Sequence, residues 1–263
     1  MVFNYHTHTS RCHHATGADE EYIKRAIADG IKTLGFSDHA PYIYPDGYVS
    51  YYKMTPEEAP EYFSSLRRLR DKYGDKIEIH IGYEAEYYPA LWEKTFEFWK
   101  SANSPEYLLL GQHFAKEEFN IAGEGKAHCI AETDDNAILT RYVDTVISGL
   151  RTGAFTYLAH PDIVNFVGDT DFYRQEAERL ITAAKALNIP LEVNFLGLRA
   201  KRHYPAPLFW EVASKLSPDV VFGADAHEPE RVGGKGEIAE ALRFADKYNL
   251  RVLNSLNIVN PFK

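Results

Sequence analysis

A single α/β barrel assembled from βα units is the fold class this sequence predicts. Three observations lead there. Short apolar or β-branched runs alternate with longer stretches of helical period, the pattern of strand–helix units and a largely parallel sheet. The chain has 263 residues, ordinary for one α/β barrel and long for one sandwich. No low-complexity segment, internal repeat or linker interrupts it, so one domain spanning 1–263 is expected.

The predicted strands are Val2–His8, Thr33–Ser37, Ile77–Tyr83, Tyr107–Leu110, Thr156–Ala159, Pro190–Asn194, Val220–Gly223 and Arg251–Asn254. The helices between them carry readable signals. Asp19 is placed to cap a helix with Ile23, Ala26, Ile27 and Ile31 on one face. Thr55-Pro56-Glu57-Glu58 reads as a capping box opening a helix that runs to about Tyr73, with Gly74 as its stop. Asp134 or Asp135 starts a helix through Ile138, Tyr142 and Ile147. Further helices are expected at Asp171–Leu187, Pro207–Leu216 and Gly234–Tyr248. The stretch Phe114–Thr133 has no clean period and reads as a long functional loop.

Composition narrows the function classes. Hydrophobic residues make up 45%, enough for a sizeable core. No apolar run approaches the length that crosses a bilayer, and the N-terminus lacks the basic-then-apolar layout of a signal peptide. Two cysteines, Cys12 and Cys129, do not make a disulfide framework, so a cytoplasmic location is expected. The net charge of −9 disfavours nucleic acid as a partner. It also suits a site that gathers divalent cations, although ordinary solubility explains it equally well. Nothing in the residues speaks to oligomeric state.

Histidine is the compositional outlier, with 11 in the chain. Barrel chemistry sits on the loops at the C-terminal ends of the strands, and the histidines fall there. The first strand delivers His6 and His8, the second Asp38-His39, the third Glu84, and the fourth His113. The fifth delivers His160-Pro161-Asp162 and the seventh Asp225-Ala226-His227. Residues i and i+2 of a strand share a face, so His6 with His8, and Asp225 with His227, are placed to grip one ion together. Imidazole nitrogen and carboxylate oxygen suit zinc, iron or manganese, and a carboxylate such as Glu84 has two oxygens with which to bridge two ions. An isolated His-x-His or Asp-x-His is common without any ion; the whole series on successive strand ends is far more specific.

These residues resemble the PHP superfamily, named for polymerase and histidinol phosphatase, from residue 3 to about residue 236. Within it the chain is most similar to the histidinol-phosphate phosphatases. The similarity is carried by His6-Thr7-His8-Thr9, Gly35-Phe36-Ser37-Asp38-His39-Ala40-Pro41, Gly82-Tyr83-Glu84-Ala85-Glu86-Tyr87, Gln112-His113-Phe114 and His160-Pro161-Asp162-Ile163-Val164. It continues through Asn194-Phe195-Leu196-Gly197-Leu198-Arg199 and Phe222-Gly223-Ala224-Asp225-Ala226-His227, followed by Val232-Gly233.

The resemblance implies a distorted (β/α)7 TIM-like barrel with three divalent metal ions. The strand predicted at Arg251–Asn254 would then be a terminal extension. Carried over by position, His6, His8, Glu84 and Asp225 would hold the first ion, and Glu84 would bridge to a second held by His113 and His160. His39, His227 and His14 would hold the third, with His13 as the alternative to His14. The implied reaction is hydrolysis of a small phosphorylated substrate, histidinol phosphate, by in-line attack of a hydroxide bridging the ions. Arg199 would grip the phosphoryl group, with Lys201, Arg202 and Arg231 as weaker candidates, each more readily read as solvated surface charge. Asp162 is a candidate acid for the leaving group, or a cap after His160-Pro161.

Other residues keep bland readings: Cys12 a loop thiol, Asp38 a ligand's support or a turn cap, His80 a strand residue, and His128 and His203 loop residues. Tyr42, Tyr44, Tyr48, Tyr51 and Tyr52 read as packing over the barrel rim. Two rival functions stay open: a related phosphoesterase acting on nucleotides, nucleic-acid ends or phosphotyrosine, and a metal-binding module without catalysis.

Overall fold

The apolar runs of the sequence become parallel strands laid side by side in chain order: β1 (Phe3–Asn4), β2 (Thr33–His39), β3 (Glu78–Ala85), β4 (Leu108–Leu110), β5 (Tyr157–Leu158), β6 (Leu191–Asn194), β7 (Asp219–Gly223) and β8 (Arg251–Val252). This computed structural model describes residues 1–102, 104–120 and 128–263. Within the expected loop 114–133, residues 121–127 therefore lie outside the described residues.

The ring closes between β1 and β7. Beyond Asn4 the chain runs on until Thr7 pairs in parallel with Ala226, and the His8 amide donates to the Ala226 carbonyl at 2.9 Å. β8 pairs only with the opposite, N-terminal end of β7, through Asp219↔Arg251 and Val220↔Val252. Among the described residues seven strands thus form the barrel and the eighth extends it, which joins the two readings of Arg251–Asn254, of which Arg251–Val252 is strand. The seam at Thr7 and Ala226 is thin, so the barrel is distorted rather than regular.

Each strand alternates two faces. Leu34, Phe36, Ile79, Ile81, Leu191 and Val193 point outward and belong to the main core beneath the helices. Phe3, Tyr5, Tyr107, Leu109, Tyr157 and Val221 form a second cluster that fills the lumen. Gly35 and Gly82 make room for Tyr107, since a Cβ at either would come within 2.3–2.4 Å of its atoms. Leu253, Leu256 and Ile258 of the C-terminal tail pack against this cluster and plug the bottom of the barrel.

The helices follow the predicted signals with local shifts. α1 (Asp19–Ala28) begins after Ala18, with Asp19 inside the helix rather than capping it. The Asp19 carboxylate is taken by Arg11 and by the Ser65 hydroxyl instead. α2 (Ala59–Tyr73) starts later than the Thr55 signal, because Pro56–Glu58 form a separate turn in which Glu58 accepts from the Thr55 amide. α3 (Trp92–Ala102) was not predicted. α4 (Asn136–Leu150) is capped by Asp135 and α5 (Thr170–Ala186) by Asp169. The short α6 (Phe195–Ala200), also unpredicted, is capped by Asn194. α7 (Pro207–Leu216) and α8 (Ile238–Lys247) complete the set. No helix among the described residues is long and apolar enough to cross a membrane.

Candidate metal centre

Climbing the lumen, the inward face changes from apolar to ionisable. Glu84 is the penultimate residue of β3, two positions above Gly82, and it is 2% exposed. Its Oε1 lies 2.8 Å from His160 Nε2, 3.4 Å from His6 Nε2 and 3.8 Å from His113 Nε2. Its Oε2 lies 3.0 Å from His39 Nδ1 and 3.6 Å from His8 Nε2. One carboxylate therefore faces five imidazoles delivered by four strands. Asp225 stands opposite, with Oδ1 3.3 Å from both His8 Nε2 and His227 Nδ1.

All nine expected ligand residues converge at this mouth, in overlapping sets. His6, His8 and Glu84 present close-set ligand atoms, as do His6, His160 and Asp225, and also His39, Glu84 and His113. His14 joins His39 and His227, with its ring 4.6 Å from that of His227. His13 instead turns toward Glu58, at 3.7 Å. The grouping differs in part from the three sets the resemblance implied, because His39 also stands with Glu84 and His113.

The arrangement fits bound cations. His6 Nε2, His8 Nε2, Glu84 Oε2, His160 Nδ1 and His227 Nε2 are buried without a hydrogen-bond partner, while His8 Nδ1 and His113 Nδ1, likewise buried, face Asp38 at 3.4 Å and Glu86 at 3.5 Å. Each such atom costs about 1–3 kcal/mol if left unsatisfied, so a cluster of them has the character of a cation-binding site. Electrostatics agree. Burial opposes charge on His6, yet Glu192, Asp225 and Glu84 push its pKa well above the usual imidazole range. Burial likewise opposes charge on His8, but Asp225, Asp38 and Glu84 push it up to about 9. The carboxylates demand positive charge, and a divalent ion supplies it with the N/O ligand set that zinc, iron or manganese accept.

Neighbouring groups aim these ligands. Glu192 Oε1 lies 2.7 Å from His6 Nδ1, which directs His6 Nε2 inward. The other Glu192 oxygen accepts from the His160 amide and from Asn194 Nδ2, and Asn194 Nδ2 also bonds Asp225 Oδ2 at 3.0 Å. Asp38 settles into a supporting place: it accepts from the Thr9 and His39 amides, bonds the Thr9 hydroxyl, and stands 3.4 Å from His8 Nδ1. Two glycines make room for the carboxylates. A Cβ on Gly111 would lie 1.9 Å from Glu84 Oε1, and one on Gly223 would lie 1.5 Å from Glu192 Oε1. His160 and Asp225 hold positive φ, 28° and 46°, a backbone state that non-glycine residues adopt at a cost of about 1–3 kcal/mol and that concentrates at functional sites.

Above the cluster opens a cavity of about 720 Å³, lined among others by Tyr52, Tyr204, Arg199, Arg202, Arg231 and Glu228. Arg199 spends two of its N–H groups on the carbonyls of Ala224 and Asp225, at 2.8 and 2.7 Å. It therefore braces the Asp225 turn while bordering the cavity. Arg202 donates to Tyr204 OH, and Arg231 stands near Glu228 and Glu237. Lys201 is exposed, closing α6 in a left-handed cap. His128 borders the cavity, whereas His203 is turned to the Ile163 carbonyl at 2.6 Å.

Asp162 is not brought into the cavity. Its Oδ2 accepts from the Ala206 amide and from Trp210 Nε1, so the buried carboxylate ties the β5 loop to α7. Burial pushes its pKa up to about 6. Cys12, read as a loop thiol, is fully buried with Sγ close to His8 and His227. Glu192 was missed by sequence reasoning altogether. A lone carboxylate between Leu191 and Val193, in phase with the inward face, was the signal that could have found it.

Three comparisons bear on this geometry. The family described as PHP domain matches residues 4–195. A probable histidinol-phosphatase of Schizosaccharomyces pombe is 34% identical, covering 96% of this chain and 89% of its own length. A probable histidinol-phosphatase of Deinococcus radiodurans is 28% identical, over 92% and 89%. Among solved structures, the histidinol phosphate phosphatase of Lactococcus lactis, crystallised with zinc, L-histidinol and phosphate, superposes with a TM-score of 0.71 at 17% identity, covering 97% of both chains. That likeness is one of fold.

Proposed function

The chain belongs to the PHP domain family, and from that premise we propose that it hydrolyses histidinol phosphate to histidinol and phosphate, with divalent metal ions at the barrel mouth. The observation that carries the metal chemistry is Glu84, one buried carboxylate set among five imidazoles with unpartnered ring nitrogens around it. The substrate assignment is supported by the names of the full-length relatives. Three ions, drawn from zinc, iron or manganese, would be held by His6, His8, His14, His39, Glu84, His113, His160, Asp225 and His227.

When bound, such ions lower the pKa of a water and screen charge that builds on phosphoryl oxygens. The chain's own residues do the rest. Glu192 and Asn194 hold His6 and Asp225 in their orientations. Arg202 and Arg231 border the cavity and offer guanidinium groups to a phosphoryl group entering above the cluster. Arg199 serves chiefly by fixing the Asp225 turn, with its remaining N–H groups available to phosphate. Tyr52 and Tyr204 wall the cavity and limit water. Asp162 is left out of the reaction, since its carboxylate faces α7. A cytoplasmic location accords with two free, buried cysteines.

A substrate panel tests the reading. Histidinol phosphate should be turned over faster than nucleotides or phosphotyrosine at equal concentration. If another monoester led the panel, the substrate assignment would fall while the hydrolase reading stood. Metal analysis of the purified protein should find transition metal near or above two ions per chain, and full activity in metal-free protein would end the metal mechanism.

A further inference from the structure

Lys53 stands out among the tyrosines of the rim loop, because it is a charged side chain only 2% exposed. Its Nζ lies 2.7 Å from Glu118 Oε2 and 2.8 Å from Glu86 Oε1. It also donates to Tyr88 OH at 3.0 Å and Tyr44 OH at 3.2 Å. The rings of Tyr42, Tyr52 and Tyr88 each stand 4.9 Å from Nζ. A buried ammonium persists only when paired, and here two carboxylates and several π faces hold it.

The two carboxylates face different ways. Glu118 takes the hydroxyls of Tyr44, Tyr48 and Ser50, at 2.7, 3.0 and 2.7 Å, so it clasps the rim loop. Glu86 faces the metal centre. It accepts from Tyr52 OH at 2.6 Å, from Tyr88 OH at 2.7 Å and from the His113 amide at 3.3 Å, and its Oε1 is 3.5 Å from His113 Nδ1. The Tyr52 ring in turn stands edge-on to His39 at 5.1 Å and to His113 at 5.9 Å. Gluing the loop down needs one carboxylate. The second leaves negative charge beside Nδ1 of His113, which favours the proton on Nδ1 and the lone pair on Nε2, the nitrogen facing Glu84.

We infer that Lys53 is a positioning residue of the metal centre: through Glu86 it fixes the ring and tautomer of His113, and through Tyr52 the wall against His39. The inference rests on the reading of His113 as a metal ligand. It goes beyond that reading by making one side of the centre depend on a loop far away in sequence.

The experiment is calorimetric titration of the metal-stripped full chain with zinc, counting ions and their affinities. Lys53→Met should weaken one class of zinc by about ten-fold or more, the usual scale for groups that orient ligands. It should be the class that His113→Ala loses, and Lys53→Arg should restore it. Glu86→Gln keeps the Lys53–Glu118 clasp but cuts the line to His113, and should show the same loss. If Lys53→Met does not fold, Glu86→Gln decides alone. Parent-like zinc binding in Glu86→Gln, with one class lost in His113→Ala, would overturn the inference. Parent-like binding in His113→Ala would overturn the ligand reading beneath it instead, so the two failures are distinct.

Discussion

Nδ1 of His6 lies 2.7 Å from Oε1 of Glu192, and neither side chain is reached by solvent. The pair sets which nitrogen of His6 looks into the centre. Glu192→Gln keeps the shape and removes the charge that favours a proton on Nδ1. Zinc affinity and kcat should each fall about 10–100-fold, the range for partners of metal ligands, while the circular dichroism spectrum is kept. Unchanged affinity in a folded variant would show that Glu192 merely fills the lumen.

Gly111 and Gly223 are predicted to be intolerant of alanine, because the added Cβ would collide with Glu84 and Glu192 respectively. Gly111 follows β4 directly and Gly223 ends β7, and the atoms in the way belong to the two carboxylate side chains, which would be displaced. Metal content and turnover should drop sharply in Gly111→Ala and Gly223→Ala. Gly30→Ala is the contrast for contact: its Cβ would meet nothing, so only its left-handed φ of 80° is strained. It should lower stability modestly and leave metal content intact, as a melting curve and elemental analysis would read.

Arginine substitutions should separate into two kinds. Arg202→Ala and Arg231→Ala should raise KM with little change in metal content, if the two serve phosphate at the cavity wall. Arg199→Ala removes the brace on the Ala224 and Asp225 carbonyls. It should lower kcat and metal affinity as well as weaken phosphate binding. An Arg199→Ala enzyme altered in KM alone would assign that guanidinium to phosphate only.

Stripping the metals should destabilise the fold as well as stop turnover. Ions that bind only the folded chain stabilise it by mass action, about 4 kcal/mol for one site at a thousand times Kd. The chelated protein should melt at a clearly lower temperature, and zinc should restore it in a concentration-dependent way. A melting temperature indifferent to chelation would be the opposing result.

At the bottom of the barrel, His80 and Glu106 give a pH dependence independent of the centre. The hydrogen bond to Glu106 raises the His80 pKa, against the effect of burial. Burial acts to raise the Glu106 pKa, but His80 and Arg70 hold it down at about 2. The His80 contribution is full below the ordinary imidazole value of 6.5 and is lost as pH rises through the raised one. The Glu106 contribution is present above 4.5 and is lost as pH falls toward about 2. Urea unfolding of His80→Gln against the parent should therefore show a larger gap at pH 5.5 than at pH 9. An equal gap at both would remove the pair from the account.

Much of the centre was legible because ligands cluster where strands end, and strand ends can be read from period and composition. His6, His39, Glu84, His113, His160 and Asp225 could each be placed on the barrel mouth one strand at a time. α3 and α6 were not legible. The first lies in an aromatic-rich segment, Trp92–Ala102, that reads ambiguously, and the second is a single short turn held by Asn194. Glu192 and Lys53 escaped because buried charge is recognisable only from the partners that surround it.

The residues by themselves indicated most of the histidines and carboxylates of the centre and the strand ends that carry them, and placed His6 with His8 and Asp225 with His227 on shared faces, since a period of two fixes the face locally. Only the closed barrel decided the distances. It brought Thr7 against Ala226 and so set His8 beside Asp225 and His227. It chose His14 over His13 for the cluster, turned Asp162 toward Trp210, and committed two N–H groups of Arg199 to backbone carbonyls. Those choices depend on contacts between elements far apart in the chain, which no local pattern encodes.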